Sequence, residues 1–203
     1  MNIAIIGAAG RAGSRIQAEL VRRGHHVTAI VRDPAKVAAT PGVTVKAGDA
    51  NDGATLAPLL AGHDAVVSAV MFLMSDVETL VGAVKRAGVP RYLVVGGAGS
   101  LEVAPGVRVL DTPQFPEAYK AEATKGAEFL ARLKTEPDLN WTFLSPSAEF
   151  VLGARTGVFR LGTDSLLVDG AGRSWISYED FAVALADEIE TPAHERQRFT
   201  VGY

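Results

Sequence analysis

The chain of 203 residues contains no cysteine. Disulfides, thiolate metal sites and a cysteine nucleophile are therefore excluded, and the composition is compatible with a reducing cytoplasm. A basic excess is also missing: 20 Lys and Arg stand against 23 Asp and Glu, a formal net charge of −3, with the basic residues scattered. Neither nucleic acid nor an anionic membrane has an electrostatic footprint to bind. No apolar run reaches the length of a membrane span, and Asn2 leads directly into a strand pattern without a basic segment or a small-residue cleavage site. The expected address is cytoplasmic, with no membrane or nucleic-acid partner. Internal repeats, low-complexity tracts and flexible linkers are absent, and no feature sets an oligomeric state. His25, His26, His63 and His194 lack metal-ligand spacing and read as structural, so no metal site is expected. Ser145 and Ser147 have no accompanying His and Asp pattern that would support nucleophilic catalysis.

What the chain does have is enough apolar residue, 48% against 21% charged, to bury a core as one domain over residues 1–203. Its opening, "IAIIGAAGRAG" at 3–13, joins an uninterrupted apolar run to three glycines. The run suits a strand buried on both faces of a parallel sheet. From Arg11 the spacing turns helical, with Ile16, Leu20 and Val21 on one side, up to the stop at Gly24. Further apolar strands are predicted in "HVTAIVRD" (26–33), "GVTVKAGD" (42–49), "GHDAVVSAV" (62–70), "RYLVVGGAGS" (91–100) and "NWTFLSPS" (140–147), alternating with helices. The last of these helices runs from about Pro116 to Lys134. Six strands alternating with helices predict an α/β fold, a Rossmann-like doubly wound parallel sheet. After residue 150 the rhythm breaks into short strands between Gly and Asp turns. Ser177 and Asp180 resemble a capping box for a helix with Phe181, Ala184, Leu185 and Ile189 as its apolar stripe. This region, about 150–203, is expected to form a small cap on the substrate side, and "RQRFTVGY" to close the sheet edge.

Strand, glycine turn and helix in that order make a phosphate site. Gly7 permits the tight turn, Gly10 lets main-chain N–H groups approach a pyrophosphate, and Gly13 lets the helix pack on the strand. Ala9, Arg11 and Ala12 lie within the same turn, where the positive helix end faces the anion. An acidic residue ending the second strand would hold the ribose hydroxyls of NAD, whereas an arginine would pair with the extra phosphate of NADP. Arg32 stands there with Lys36 a turn later, and the Arg11 guanidinium is a second phosphate contact. NADP(H) is favoured over NAD(H); Asp33 reaching for a ribose is the competing reading, and a solvated surface role for Arg32 is the plain one. Asp49 ends the third strand as either an adenine contact or a turn aspartate. Ser68 and Ala69 end the fourth strand, Gly97 the fifth and Pro146 the sixth, small residues beside which a flat ring can pass.

Taken together, "GAAGRAG", "VRDPAKV", "GDANDG", "VVGGAGSLEVAPG", "WTFLSPS" and the stretch from Arg155 to Glu190 resemble the atypical short-chain dehydrogenase/reductases of the NmrA-like group, close to the small NADH-flavin reductase-like members. The resemblance implies a Rossmann fold that binds NAD(P)H and hands a hydride to a small-molecule acceptor, a flavin or quinone, with the flavin as substrate. It departs at the proton-transfer pair. Short-chain dehydrogenases use a tyrosine with a lysine four residues on. Here Tyr119 is followed four on by Ala123, and Lys120 is adjacent instead. Successive helical residues point about 100° apart, so Tyr119 and Lys120 cannot act as that pair. They remain as residues that orient the acceptor or cofactor, or as solvated residues at a helix start. A flavin or quinone acceptor relaxes the demand, because it takes hydride by stacking and collects its proton from water. Two other readings stay open: a non-catalytic NADP(H) sensor of NmrA type, and a sugar-nucleotide epimerase or dehydratase.

Overall fold

A computed structural model describes residues 1–203. Its elements run β1 (Asn2–Ile6), α1 (Arg11–Arg22), β2 (His26–Val31), β3 (Val43–Ala47), α2 (Gly53–Leu60), β4 (Ala65–Ser68), α3 (Val77–Ala87), β5 (Tyr92–Val95), β6 (Glu102–Ala104), β7 (Val107–Arg108), α4 (Glu117–Lys134), β8 (Trp141–Pro146), β9 (Glu149–Val151), β10 (Arg160–Gly162), β11 (Trp175–Ser177), α5 (Tyr178–Glu190) and β12 (Gln197–Gly202). Eight strands form the main sheet in the order β10-β12-β8-β5-β4-β1-β2-β3. All neighbours are parallel except β10, which pairs antiparallel with β12. This is the Rossmann-like doubly wound sheet expected from the alternation. The order reverses between β1 and β4, and there the carboxyl ends of the strands open a crevice.

The apolar runs of the central strands are uninterrupted because those strands are covered on both faces. Ile3 and Ile5 of β1 join Ile16, Leu20, Phe181 and Leu185 on one face. Ala4 and Ile6 join Leu56, Leu80, Val84, Phe129 and Phe143 on the other. Helices α1 and α5 therefore share one layer, and α2, α3 and α4 the opposite one. Fully burying a side chain such as Phe181 stabilises the fold by about 1.5–3 kcal/mol. Between α1 and α5, Glu19 is buried and accepts from Arg22, Arg23 and Arg155. Burial alone would raise its pKa, but those three guanidiniums outweigh burial and hold the carboxyl well below the usual carboxylate range.

Two details differ from the sequence reading. The final strand does not close the sheet edge: β12 lies between β8 and β10, and the edge is β10. The reason is burial, since consecutive residues of β12 from Arg198 to Gly202, and so both of its faces, are buried, whereas Arg160 and Leu161 are exposed as an edge permits. In addition, Glu102 to Arg108 forms a small antiparallel hairpin of β6 and β7 that the apolar patterning did not announce. The helix α5 begins where the Ser-x-x-Asp signature places it, with Ser177 Oγ accepting from the Asp180 N–H at 2.9 Å. Asp180 does not return the bond. Its carboxylate accepts from the Thr156 and Gly157 N–H groups, both at 2.8 Å, and from the Tyr203 hydroxyl at 2.6 Å, tying the 153–157 segment to α5 and β12.

Candidate functional site

The turn after β1 is shaped by its glycines. Gly7 has φ +85°, its N–H donates to the Ile30 carbonyl at 2.9 Å, and a Cβ there would come within 2.6 Å of the Ala69 carbonyl oxygen. A Cβ on Gly13 would collide with the Gly7 carbonyl oxygen, so α1 can approach the strand this closely only with glycine at that position. The start of α1 carries neither a side-chain cap nor an acidic residue in its first turn, unlike α2, α3 and α5, which are capped by Asp52, Asp76 and Ser177. Its first N–H groups thus stay available to an anion, with the positive end of the helix dipole behind them.

This turn floors a cleft of about 320 Å³ at the switch point between β1 and β4. Gly7, Ala9, Gly10 and Ala69 line its end at the glycine turn; Arg32, Asp33, Lys36 and Asp49 line the far end beyond β2 and β3. Asp33 and Asp49 are both engaged locally. Asp33 accepts from the Ala35 N–H at 3.1 Å, capping the short 3-10 turn Pro34–Lys36, and Asp49 accepts from the Asn51 N–H at 2.9 Å. No hydrogen bond or ion pair engages the side chain of Arg32 or Lys36, and both residues line the cleft, one on either side of Asp33. Ala69 N–H donates to the Ile6 carbonyl at 2.8 Å, pinning the tips of β1 and β4 together.

A second, larger cavity of about 760 Å³ continues past Met71, which lines both spaces. Gly97 and Pro146 stand at its strand ends, and Phe72, Phe115, Tyr119, Phe150 and Tyr178 give it aromatic walls. The divider is the segment 71–76, which the sequence reading passed over. Its short turn Phe72–Met74 is held by Glu122 of α4, whose carboxylate accepts from the Phe72 and Leu73 N–H groups at 2.7 and 2.8 Å. On the other side Asn51 donates to the Met74 carbonyl at 2.8 Å and accepts from the Asp76 N–H at 3.1 Å. Met71, Leu73 and Met74 are left about half exposed over the junction.

The structure therefore brings Gly7, Ala9, Gly10, Arg32, Asp49 and Ala69 together in one cleft, and Gly97, Pro146 and Tyr119 in the other. Arg11 and Ala12 flank the turn without lining either space, and Gly13 is buried beneath it. Ser68 is also buried, accepting from the Tyr92 hydroxyl at 3.0 Å below the cleft floor. Burial drives the Tyr92 phenol far above its ordinary pKa. Tyr119 stands at the cavity mouth, 67% exposed. Lys120 lies outside both cavities, with its Nζ 3.9 Å from Glu117, because the next helical position turns away to solvent. Ala123, where the resemblance would have a lysine, packs on Gly99 so closely that a Cβ on that glycine would lie 2.7 Å away. No cluster of three His, Cys, Asp or Glu side chains is arranged to hold a metal. His25 and His194 instead lie 2.7 and 2.8 Å from Glu190 and Glu188.

Fold and turn together define a dinucleotide-binding Rossmann protein. The model of a family described as NAD(P)H-binding matches residues 7–192, and the chain belongs to that family. It is 42% identical to the uncharacterized protein YwnB of Bacillus subtilis (strain 168), over 99% of this chain and 98% of that protein. Among solved structures it is similar to a Bacteroides thetaiotaomicron protein provisionally described as an epimerase, with 41% identity, TM-score 0.94, and coverage of 100% of this chain and 96% of the other. It is also similar to a Streptococcus pneumoniae protein provisionally described as an NADH-flavin reductase, with 36% identity, TM-score 0.87, and coverage of 100% and 99%. No helix of the chain is long and apolar enough to cross a membrane.

Proposed function

We propose that this protein is an NADPH-dependent oxidoreductase that reduces a flat flavin- or quinone-like acceptor. The observation that carries the reading is the junction at Met71, where a nucleotide cleft opens directly into a roomy cavity with aromatic walls. NADPH, when bound, supplies a hydride to the acceptor ring, which completes its two-electron reduction with a proton from water and leaves NADP⁺. The glycine turn and the uncapped start of α1 bind the pyrophosphate. Arg32 and Lys36 favour the ribose phosphate of NADP(H), Asp33 being engaged in its own turn. Gly97 and Pro146 leave room for a ring, while the aromatic walls and the 71–76 segment, clamped by Glu122, restrict water and hold the acceptor flat.

The missing Tyr and Lys pair supports this acceptor class, since alcohol and carbonyl chemistry needs a positioned proton donor and a stacked flavin or quinone does not. The same absence favours a second reading, a protein that binds NADP(H) to sense its redox state without turnover. The deciding experiment follows NADPH absorbance with riboflavin, FMN, FAD and simple quinones in turn. Acceptor-dependent oxidation is expected. Cofactor binding without any oxidation would sink the reductase reading and leave the sensor.

A further inference from the structure

The two cavities differ in charge. The cofactor cleft is lined by Arg32 and Lys36 as well as by Asp33 and Asp49, whereas the acceptor cavity is lined by two carboxylates, Glu122 and Glu149, and by no lysine, arginine or histidine. Cations around it are paired: Lys120, beside Tyr119, turns to solvent 3.9 Å from Glu117. Arg173 donates twice to Glu149, at 2.6 and 3.0 Å, and lies over Trp175. Arg198 is buried behind Ser100 and paired with Asp164. Arg108 is held by Asp111 at 2.6 and 3.0 Å. A phosphate or sulfonate entering this cavity would meet the Glu122 carboxylate, which has main-chain N–H partners and no cation, and a Glu149 already paired with Arg173, without a free donor fork in the lining; like-charge juxtaposition in a partly desolvated site is costly. The volume, about 760 Å³, is ample for a ring system, within the usual range of about 300–1,000 Å³ for small-molecule sites.

Resting on the reductase reading, we infer that the acceptor cavity selects ring compounds that carry no anionic group: riboflavin over FMN and FAD, and an uncharged naphthoquinone over its sulfonate. The test titrates the protein, saturated with NADP⁺, with riboflavin and with FMN by flavin fluorescence. In parallel, NADPH oxidation is measured with both flavins and with the quinone pair. Riboflavin is expected to bind at least about tenfold more tightly than FMN at low salt, the gap narrowing as salt screens the carboxylates. Gln114 lines the cavity from an exposed loop, so Gln114→Lys adds a cation without touching the core and should narrow the gap about fivefold. FMN binding as well as riboflavin, with NADPH still consumed, overturns the selection and leaves the reductase reading standing. Preferential riboflavin binding without NADPH consumption does the reverse. If neither flavin binds, the quinone pair decides: faster turnover of the uncharged member supports the selection, and equal rates, or no turnover of either, overturn it.

Discussion

Replacing Arg32 by alanine should separate the two nicotinamide cofactors. Arg32 lines the far end of the cleft with Lys36, and its side chain has no ion-pair partner, while Asp33 is tied to the Ala35 N–H at 3.1 Å. A unit charge about 4 Å from one phosphate charge contributes about 1 kcal/mol in water and about 4 kcal/mol at an effective dielectric of about 20. Arg32 is exposed, which places the expectation at the lower end, about 1–2 kcal/mol, or about 5- to 30-fold in Kd. NADH has no such phosphate, so its Kd should move by less than about twofold. Calorimetric titration of both variants with NADPH and NADH measures the difference directly. Repeating it at higher salt should shrink the loss, because the contact is exposed. Equal weakening of both cofactors would refute the reasoning, since it would mean that Arg32 supports the cleft and does not read the phosphate. An unchanged NADPH affinity would refute it too.

Three further outcomes follow from the geometry. Gly13→Ala presses a methyl group onto the Gly7 carbonyl; thermal melts should show a loss of about 1–3 kcal/mol, with cofactor affinity falling alongside. Glu122→Ala strips two N–H donors of their acceptor; hydrogen exchange at 72–74 should accelerate and the acceptor KM rise, whereas unchanged exchange would show that the clamp is idle. Glu19 and Glu188 have folded pKa values below their unfolded value of about 4.3, so they bind fewer protons in the native state and stabilise it above that pH. Burial works against both, but the Arg22, Arg23 and Arg155 bonds to Glu19, and the bonds of His194, Ala193 and Arg91 to Glu188, outweigh it. The melting temperature should therefore fall steeply below about pH 4, and Glu19→Gln should flatten that slope.

The doubly wound sheet was legible because strands covered on both faces leave unbroken apolar runs such as Ile3 to Ile6 and Ala65 to Val67. The glycine turn was legible because a φ of +85° at Gly7 and the tight approach at Gly13 admit little else. Other features leave no local trace. β10 is three residues long, two of them exposed, and becomes a sheet strand only by pairing with β12. Glu122 is one of several carboxylates on α4, and only the three-dimensional path of Phe72 and Leu73 singles it out. The segment 71–76 has neither a helical nor a strand period, although its exposed methionines between two strongly patterned elements were a signal that could have been followed. The network around Asp180 joins residues from 156 to 203 and so cannot be read from any window.

The meeting of the two cavities at Met71 also divides the site along the chain. Every residue lining the cofactor cleft falls between Ile6 and Met74, and every residue lining the acceptor cavity between Met71 and Tyr178. On the proposed reductase reading, recognition of the common reductant and recognition of the variable partner molecule are thus written in consecutive stretches that overlap by only a few positions. Such a layout lets one half diverge while the other is held, and it marks a crossover point for chimeras. A hybrid joined within 71–76, with the downstream stretch taken from a relative of the same fold, should keep the nucleotide preference of the first parent and acquire the acceptor range of the second.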